Sequence, residues 1–272
     1  MIQIKTTDEI ALMREAGLVV HRALERMQAA VAPGVTTADL DRISEESIRG
    51  DGAVPSFKGY RGFPATICAS INDEVVHGIP SRRRKLAAGD IISIDCGAIF
   101  EGWHGDSAVT VAVGEVAPQM HELMRVTEES MWAGLAAAFA GGRLTDISAA
   151  VERSIRSTGP ATGPYGIVDH YGGHGIGTEM HQDPHVLNYG RPGRGPRLVP
   201  GLALAIEPMV TVGSPATREL DDGWTVVTVD GSWAAHFEHT VAITEDGPWV
   251  LTAGDGGAAK LAERGVNVSQ SA

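Results

Sequence analysis

The feature that most constrains this chain's fold is that its polar residues, as well as its apolar ones, recur in the same order. From Thr7 the positions Ile10, Met13, Gly17, Val20, Leu24, Met27 and Val31 follow the three-and-four spacing of an amphipathic helix, which Pro33-Gly34 ends. A shorter helix carries Leu40, Ile43 and Ile48, and Gly50-Asp51-Gly52 closes it. The pattern returns in a long helical stretch from about Gln119 to Phe139, a stop at Gly141-Gly142, and a short helix with Ile147, Val151 and Ile155. Two amphipathic helices can resemble each other by chance, but the later parts repeat too. Val76-His77-Gly78-Ile79 resembles Gly173-His174-Gly175-Ile176, and the apolar run ending at Asp95 matches the run ending at Glu207. His104-Gly105-Asp106 pairs with His236-Phe237-Glu238. Each half reads as two helices, a His-bearing segment, a strand ending in an acid, and a second strand with another acid. Packing about a pseudo-two-fold axis would bring four carboxylates into one cleft.

Asp95 and Glu207 follow apolar segments that read as core strands, where an acid is costly unless protonated, paired or bound to a cation. One Asp at a strand end is more often a turn or cap residue; four acids and a His in duplicated places point to a metal centre. Carboxylates with one imidazole suit Mn, Fe, Co or Zn, and two such ions need bridging carboxylates. Asp106 and Glu238, one from each half, are placed for that. The glycines around His174 would let backbone approach a ligand closely. A phosphate loop is the rival reading, but no Gly-Lys-Ser/Thr follows. His181 lies seven residues beyond His174 and can face the same cleft. His21, His121, His170, His185 and His239 read as surface or core filler.

Composition excludes other classes. A net charge of −12 opposes a general nucleic-acid surface, and the basic run Arg82-Arg83-Arg84-Lys85 is local. Cys68 and Cys96 are too few for a disulfide framework. No secretion signal or membrane-length apolar run is evident, so a cytoplasmic protein is expected.

The motifs Ser70-Ile71-Asn72, His77-Gly78-Ile79-Pro80, Ile94-Asp95, His104-Gly105-Asp106, Gly173-His174-Gly175-Ile176-Gly177, Ile206-Glu207-Pro208-Met209 and Glu238-His239-Thr240 together closely resemble type I methionine aminopeptidases, from about Met1 to Thr252. The resemblance implies an α+β pita-bread fold, in which two pseudo-two-fold related halves of antiparallel strands and helices surround a two-metal site. It implies a catalytic domain over 1–252, with halves of about 1–115 and 116–252, and a partly disordered tail over 253–272. It implies two divalent ions (Co, Mn, Fe or Zn), one on Asp106, His174, Glu207 and Glu238 and the other on Asp95, Asp106 and Glu238. His77, His181 and Glu207 become the catalytic residues, with Glu207 as proton shuttle and His181 facing the developing oxyanion. Tyr60, Phe63, Cys68, His77, Met180, His181 and Trp224 would bind the substrate; the chain departs from the common family pattern at Arg61, Phe63 and Met180. The implied activity is removal of N-terminal methionine from nascent proteins whose second residue is small.

Three rival readings fit these residues less well. Xaa-Pro peptidases of the same fold usually carry an extra N-terminal domain, whereas this pattern starts close to residue 1. Type II relatives need a long insertion where His181 and Glu207 are only 26 positions apart. A ligand-free binding module would have lost acids that are all present here. A monomer, no membrane contact, no specific nucleic acid and a ribosome-docking role for Arg82 to Lys85 complete the expectations.

Overall fold

The computed structural model describes residues 2–158 and 164–266. Helix α1 (Thr7–Ala30) starts at Thr6, whose hydroxyl accepts from the Glu9 N–H while the Glu9 carboxylate accepts from the Thr6 N–H. Helix α2 (Thr37–Gly50) opens on the same device with Thr36 and Asp39. In the second half α3 (Pro118–Ala136) begins with proline, and α4 (Leu144–Ser157) has the Asp146 carboxylate accepting from the Arg143 N–H at 2.7 Å. Asp39 and Asp146 recur in the sequence because both cap the second helix of a half. The second long helix ends at Ala136, short of the expected Phe139, because Ala138 and Phe139 turn back onto Leu135 and Ala137.

The strands of the first half are β1 (Val54–Pro55), β2 (Ile67–Ile71), β3 (Glu74–Val76), β4 (Ile91–Phe100) and β5 (Trp103–Ala112), with a 3-10 turn at Tyr60–Gly62. Those of the second are β6 (Gly166–Ile167), β7 (Gly173–Gly175), β8 (Gln182–Val186), β9 (Ala203–Ile206), β10 (Met209–Thr211), β11 (Thr217–Glu219), β12 (Val226–Thr228), β13 (Ala234–His236), β14 (Glu238–Thr244) and β15 (Gly247–Val250). A nine-stranded sheet runs β1-β4-β5-β14-β9-β7-β8, with β2 also on β4 and β15 on β14. Its centre is symmetric: β2-β4-β5 in one half answers β7-β9-β14 in the other, and β5 meets β14 at the junction. Two small sheets complete the fold: β13-β10-β6 lies within the second half, and β11-β12-β3 ties the halves together by pairing β12 with β3.

Alternation decides what each face of the sheet meets. Ile92, Ile94, Cys96 and Ala98 of β4 pack on Val20, Leu24 and Met27 of α1 and Leu40 and Ile48 of α2. Leu204 and Ile206 of β9 and Val241 and Ile243 of β14 share a core with Leu123, Leu135, Ile147 and Val151 of α3 and α4. The opposite face is left for the site. Helix α1 lies very close to β5 and to the chain after β15: a Cβ on Gly17 would sit 2.2 Å from the Leu251 carbonyl oxygen. Asp95 does not end its strand as expected; β4 runs on to Phe100, and the reversal comes at Glu101-Gly102, both with positive φ. The described part of the tail is packed: α5 (Ala258–Ala262) places Leu261 in the core, and the Arg14 guanidinium donates to the carbonyls of Leu251, Ala253 and Gly254. The rest of the expected disorder, at 267–272, lies outside the described residues. No described helix is long and apolar enough to cross a membrane.

Candidate metal centre and substrate cleft

Strand register assembles the site. Cys68 stands opposite Asp95, Asp95 opposite Ala108, and Ala108 opposite Glu238, so one row crosses β2, β4, β5 and β14. A second row joins His174, Ala205 and Thr240. The Thr240 hydroxyl accepts from the Asp106 N–H at 3.1 Å and donates to the Asp106 carbonyl at 2.8 Å. Opposed residues share a face and every second residue returns to it, so Asp95, Asp106, Glu238 and His174 all project from one face. The small side chains of Ala108 and Ala205 between them leave room for carboxylates. Glu238 faces Ala108 while Thr240 faces Asp106, the exchange expected of a two-fold axis between β5 and β14. Glu207 joins from the end of β9, its Oε1 3.5 Å from His174 Nε2.

The glycines flanking His174 serve neighbouring strands and not a ligand. A Cβ on Gly173 would lie 2.2 Å from the Ala205 carbonyl oxygen, and one on Gly175 would lie 2.1 Å from that of Asp183. This crowding fixes His174, whose Nδ1–H donates to the Gly175 carbonyl at 3.0 Å and leaves Nε2 as the lone-pair nitrogen toward the acids.

Four acids held together this far from water are electrostatically strained. Burial pushes the Asp95 carboxyl up to about 7 and that of Glu207 up to about 8, and it drives Asp106 and Glu238 well above the carboxylate range. Neighbouring acids add to the rise of Asp106 and Glu238. Burial also lowers His174 to about 3, so its ring is neutral. Buried Oδ1 of Asp95, Oδ1 of Asp106 and Oε1 of Glu238 have no hydrogen-bond partner among the described residues. Orphaned acceptors beside a neutral imidazole are what a divalent cation would satisfy, and hard oxygen donors with one nitrogen suit such an ion. Asp106, His174 and Glu238 form one group of converging ligand atoms; Glu207, His236 and Glu238 form another.

The acids floor a cleft of about 300 Å³ that all the sequence-predicted residues line: the four acids and His174, with Tyr60, Phe63, Cys68, His77, Met180, His181 and Trp224. Phe63, Cys68 and Met180 belong to an apolar cluster, separate from the main core, against which Tyr60 and Trp224 pack. Phe63 meets Trp224 edge-on at 5.0 Å. His77, held at φ 61°, turns its ring onto Trp224 and Tyr171. The His181 ring lies 4.3 Å from His174, and its Nδ1 is 2.8 Å from the Tyr60 hydroxyl.

Some site residues escaped the sequence reading. His170 and His185, taken as filler, line the cleft, and His185 stands directly opposite His174. His236 was aligned with His104 but given no role. It is buried, with Nε2 3.4 Å from Glu207 Oε2. Its position two residues before Glu238 was the available signal, since that spacing in extended chain shares a face. His104 instead turns to the Ser56 hydroxyl at 2.9 Å. His239 is core, against Trp132 and the Thr252 hydroxyl.

A duplicated sheet presenting four buried acids and a lone-pair imidazole beside an apolar cleft defines a metal-dependent hydrolase. Residues 11–245 match the metallopeptidase family M24. The chain is 56% identical over 252 residues to the methionine aminopeptidase of Clostridium acetobutylicum, covering 93% of this chain and 99% of that one. It is 54% identical over 251 residues to methionine aminopeptidase 1 of Mycobacterium tuberculosis, covering 92% and 94%. Among solved structures, the methionine aminopeptidase of Thermotoga maritima superposes with a TM-score of 0.89 at 43% identity, covering 93% and 99%. The chain belongs to metallopeptidase family M24, and its fold is the α+β pita-bread fold expected from the motifs.

Proposed function

We propose that this chain is a type I methionine aminopeptidase that hydrolyses the first peptide bond of peptides and nascent proteins beginning with methionine when the second residue is small. One observation carries the reading: the buried acids with orphaned oxygens open directly onto a separate apolar cluster of Phe63, Cys68, Met180 and Trp224. An unbranched thioether suits such an adaptable, polarizable wall. About 300 Å³ lies at the small end of ligand pockets, which suits a methionine followed by a small second residue.

Two divalent ions, drawn from Co, Mn, Fe and Zn, are proposed for Asp95, Asp106, His174, Glu207 and Glu238, with Asp106 and Glu238 shared. When bound, they supply Lewis acidity for the scissile carbonyl and a water acidic enough to attack near neutral pH. The chain's own residues do the rest. Glu207, which projects from the end of β9 beside His174, takes the proton from the attacking water and passes it to the leaving amine. His181, oriented by the Tyr60 hydroxyl, donates to the oxygen that gains charge, and His77 closes the cleft over the first residue. The catalytic unit is proposed as 1–252, acting as a monomer in the cytoplasm.

Ribosome docking by the exposed run Arg82 to Lys85 belongs to the same proposal. Arg84 pairs at 2.7 Å with the buried Glu74, leaving Arg82, Arg83 and Lys85 for an anionic surface. Replacing those three with Gln should weaken ribosome co-sedimentation at ~50 mM salt; unchanged co-sedimentation would remove this part.

The deciding assay for the activity compares methionine release from Met-Ala-Ser with hydrolysis of Ala-Pro and Leu peptides by metal-reconstituted protein. Preference for either alternative over Met-Ala-Ser would overturn the reading.

A further inference from the structure

The mouth of the cleft carries a cation that the proposed mechanism does not use. Arg61 lines the cavity, is exposed, and is the only Lys or Arg among the described lining residues. Every carboxylate lining the cavity, Asp95, Asp106, Glu207 and Glu238, belongs to the metal centre on its floor. Arg61 forms no ion pair with a described carboxylate, unlike Arg84 with Glu74 or Arg22 with Asp51.

Its placement is costly to the backbone. Arg61 sits at φ 48°, ψ 26° between Gly59 and Gly62, which also have positive φ. The turn is closed by the Gly59 N–H donating to the Phe63 carbonyl at 2.8 Å and the Phe63 N–H donating to Tyr60 at 2.9 Å. A non-glycine residue in the left-handed region costs free energy that glycine would not, so this turn carries a side chain where local preference favours none. That side chain is also positioned: the guanidinium carbon lies 5.3 Å from the centroid of the Tyr60 ring. Tyr60 in turn contacts His181 through its hydroxyl, and the His181 ring lies tilted 4.3 Å from His174. Arg61 is thus tied by successive contacts to the hydrolytic centre. The successive steps, 5.3 Å to the Tyr60 ring, 5.4 Å from there to the His181 ring and 4.3 Å on to His174, put Arg61 within a few residues of extended chain at ~3.3 Å per residue.

We infer that Arg61 is a specificity-determining residue that recognises a carboxylate on the substrate two to three residues beyond the scissile bond, an inference that rests on the aminopeptidase reading. The stacked guanidinium leaves N–H edges free for a carboxylate, which it can bind in bidentate fashion. The carboxylate is an Asp or Glu side chain, or the free C-terminus of a short peptide. In a chain of net charge −12, which repels acidic peptides at long range, one cation at the mouth shifts the balance for them and against lysine-bearing ones.

The test is kcat/KM of metal-reconstituted enzyme on Met-Ala-Glu-amide, Met-Ala-Lys-amide, and Met-Ala-Ser as amide and free acid. For the wild type at ~50 mM salt, the Glu-to-Lys ratio should be at least about threefold and should shrink at ~0.5 M salt. Arg61→Gln should bring the ratio toward one, and Arg61→Lys should keep part of it. Arg61→Gly, which relieves the backbone, should behave like Arg61→Gln and so guards against a folding defect. An effect confined to the amidated Glu peptide assigns the contact to a side chain, and one confined to the free acid of Met-Ala-Ser assigns it to the C-terminus. Methionine release with the same ratios in wild type and all three variants would overturn this inference alone. No methionine release from any peptide would overturn the aminopeptidase reading and this inference with it.

Discussion

His236 Nε2 lies 3.4 Å from Oε2 of Glu207, opposite the His174 ring that approaches Oε1 of the same carboxylate at 3.5 Å. Glu207 therefore lies between two buried imidazoles, and His236 Nε2, which has no hydrogen-bond partner among the described residues, also comes within 4.0 Å of Glu238. The His236 backbone is clamped, its N–H donating to the Thr110 hydroxyl at 2.9 Å and its carbonyl accepting from that hydroxyl at 2.8 Å. A buried imidazole set this close to two proposed ligands by a clamped backbone should orient them. His236→Ala is expected to weaken Mn binding and turnover by about 10- to 100-fold. Calorimetric metal titration together with methionine release checks this; unchanged metal affinity would assign His236 to packing alone.

Glu207→Gln and His174→Ala should each reduce turnover by at least ~100-fold while leaving far-UV circular dichroism unchanged. Neither residue holds the helices to the sheet: His174 and Glu207 face the cleft, and the core contacts of β9 are made by Leu204 and Ile206. Activity within tenfold of wild type in either variant would sink the ligand assignment.

Removal of metal should lower thermal stability. The orphaned oxygens of Asp95, Asp106 and Glu238 are buried close together, and without a cation they are left to repel one another or take up protons. Chelation should lower Tm by several degrees, and added Mn should restore it in proportion to the logarithm of its free concentration, as expected for a ligand that binds only the folded chain. A Tm indifferent to chelator and Mn, measured by calorimetry, would remove the cation from this site.

Much of this was legible in the sequence because the repeat carried both geometry and chemistry. Asp39 and Asp146 recur as helix caps, and Asp106 and Glu238 recur because a two-fold relation places them on one sheet face. His185 is legible only once β7 pairs with β8 across an irregular register, and His236 is marked only by its two-residue spacing from Glu238. The position of Asp95 within a strand depends on where the hairpin turns, at Glu101-Gly102, and its apolar run could not show that. The Gly-His-Gly segment suggested close approach to a ligand, whereas its glycines make room for the carbonyls of Ala205 and Asp183.

Lys5 supplies a pH-dependent test away from the acids. Its side chain is buried, with Nζ 3.5 Å from the Gln182 side-chain oxygen, and burial lowers its ammonium to about 8 despite the attraction of Glu9. An unfolded lysine keeps its proton to about 10.4. Between about 8 and 10.4 the unfolded chain therefore binds more protons than the folded one, so this residue's contribution to stability rises with pH across that window. Below about 8 both states are charged and the folded state carries the whole cost of the buried ammonium. Lys5→Met should thus be more stable than wild type at pH 7 by about 1–2 kcal/mol, allowing for screening of a partly wetted charge. The advantage should shrink as pH rises through 8 and vanish near 10.4. Urea unfolding of both proteins at pH 7, 8.5 and 10 reads this directly. Parallel stability curves across that range would show that the Lys5 ammonium is solvated in the folded chain.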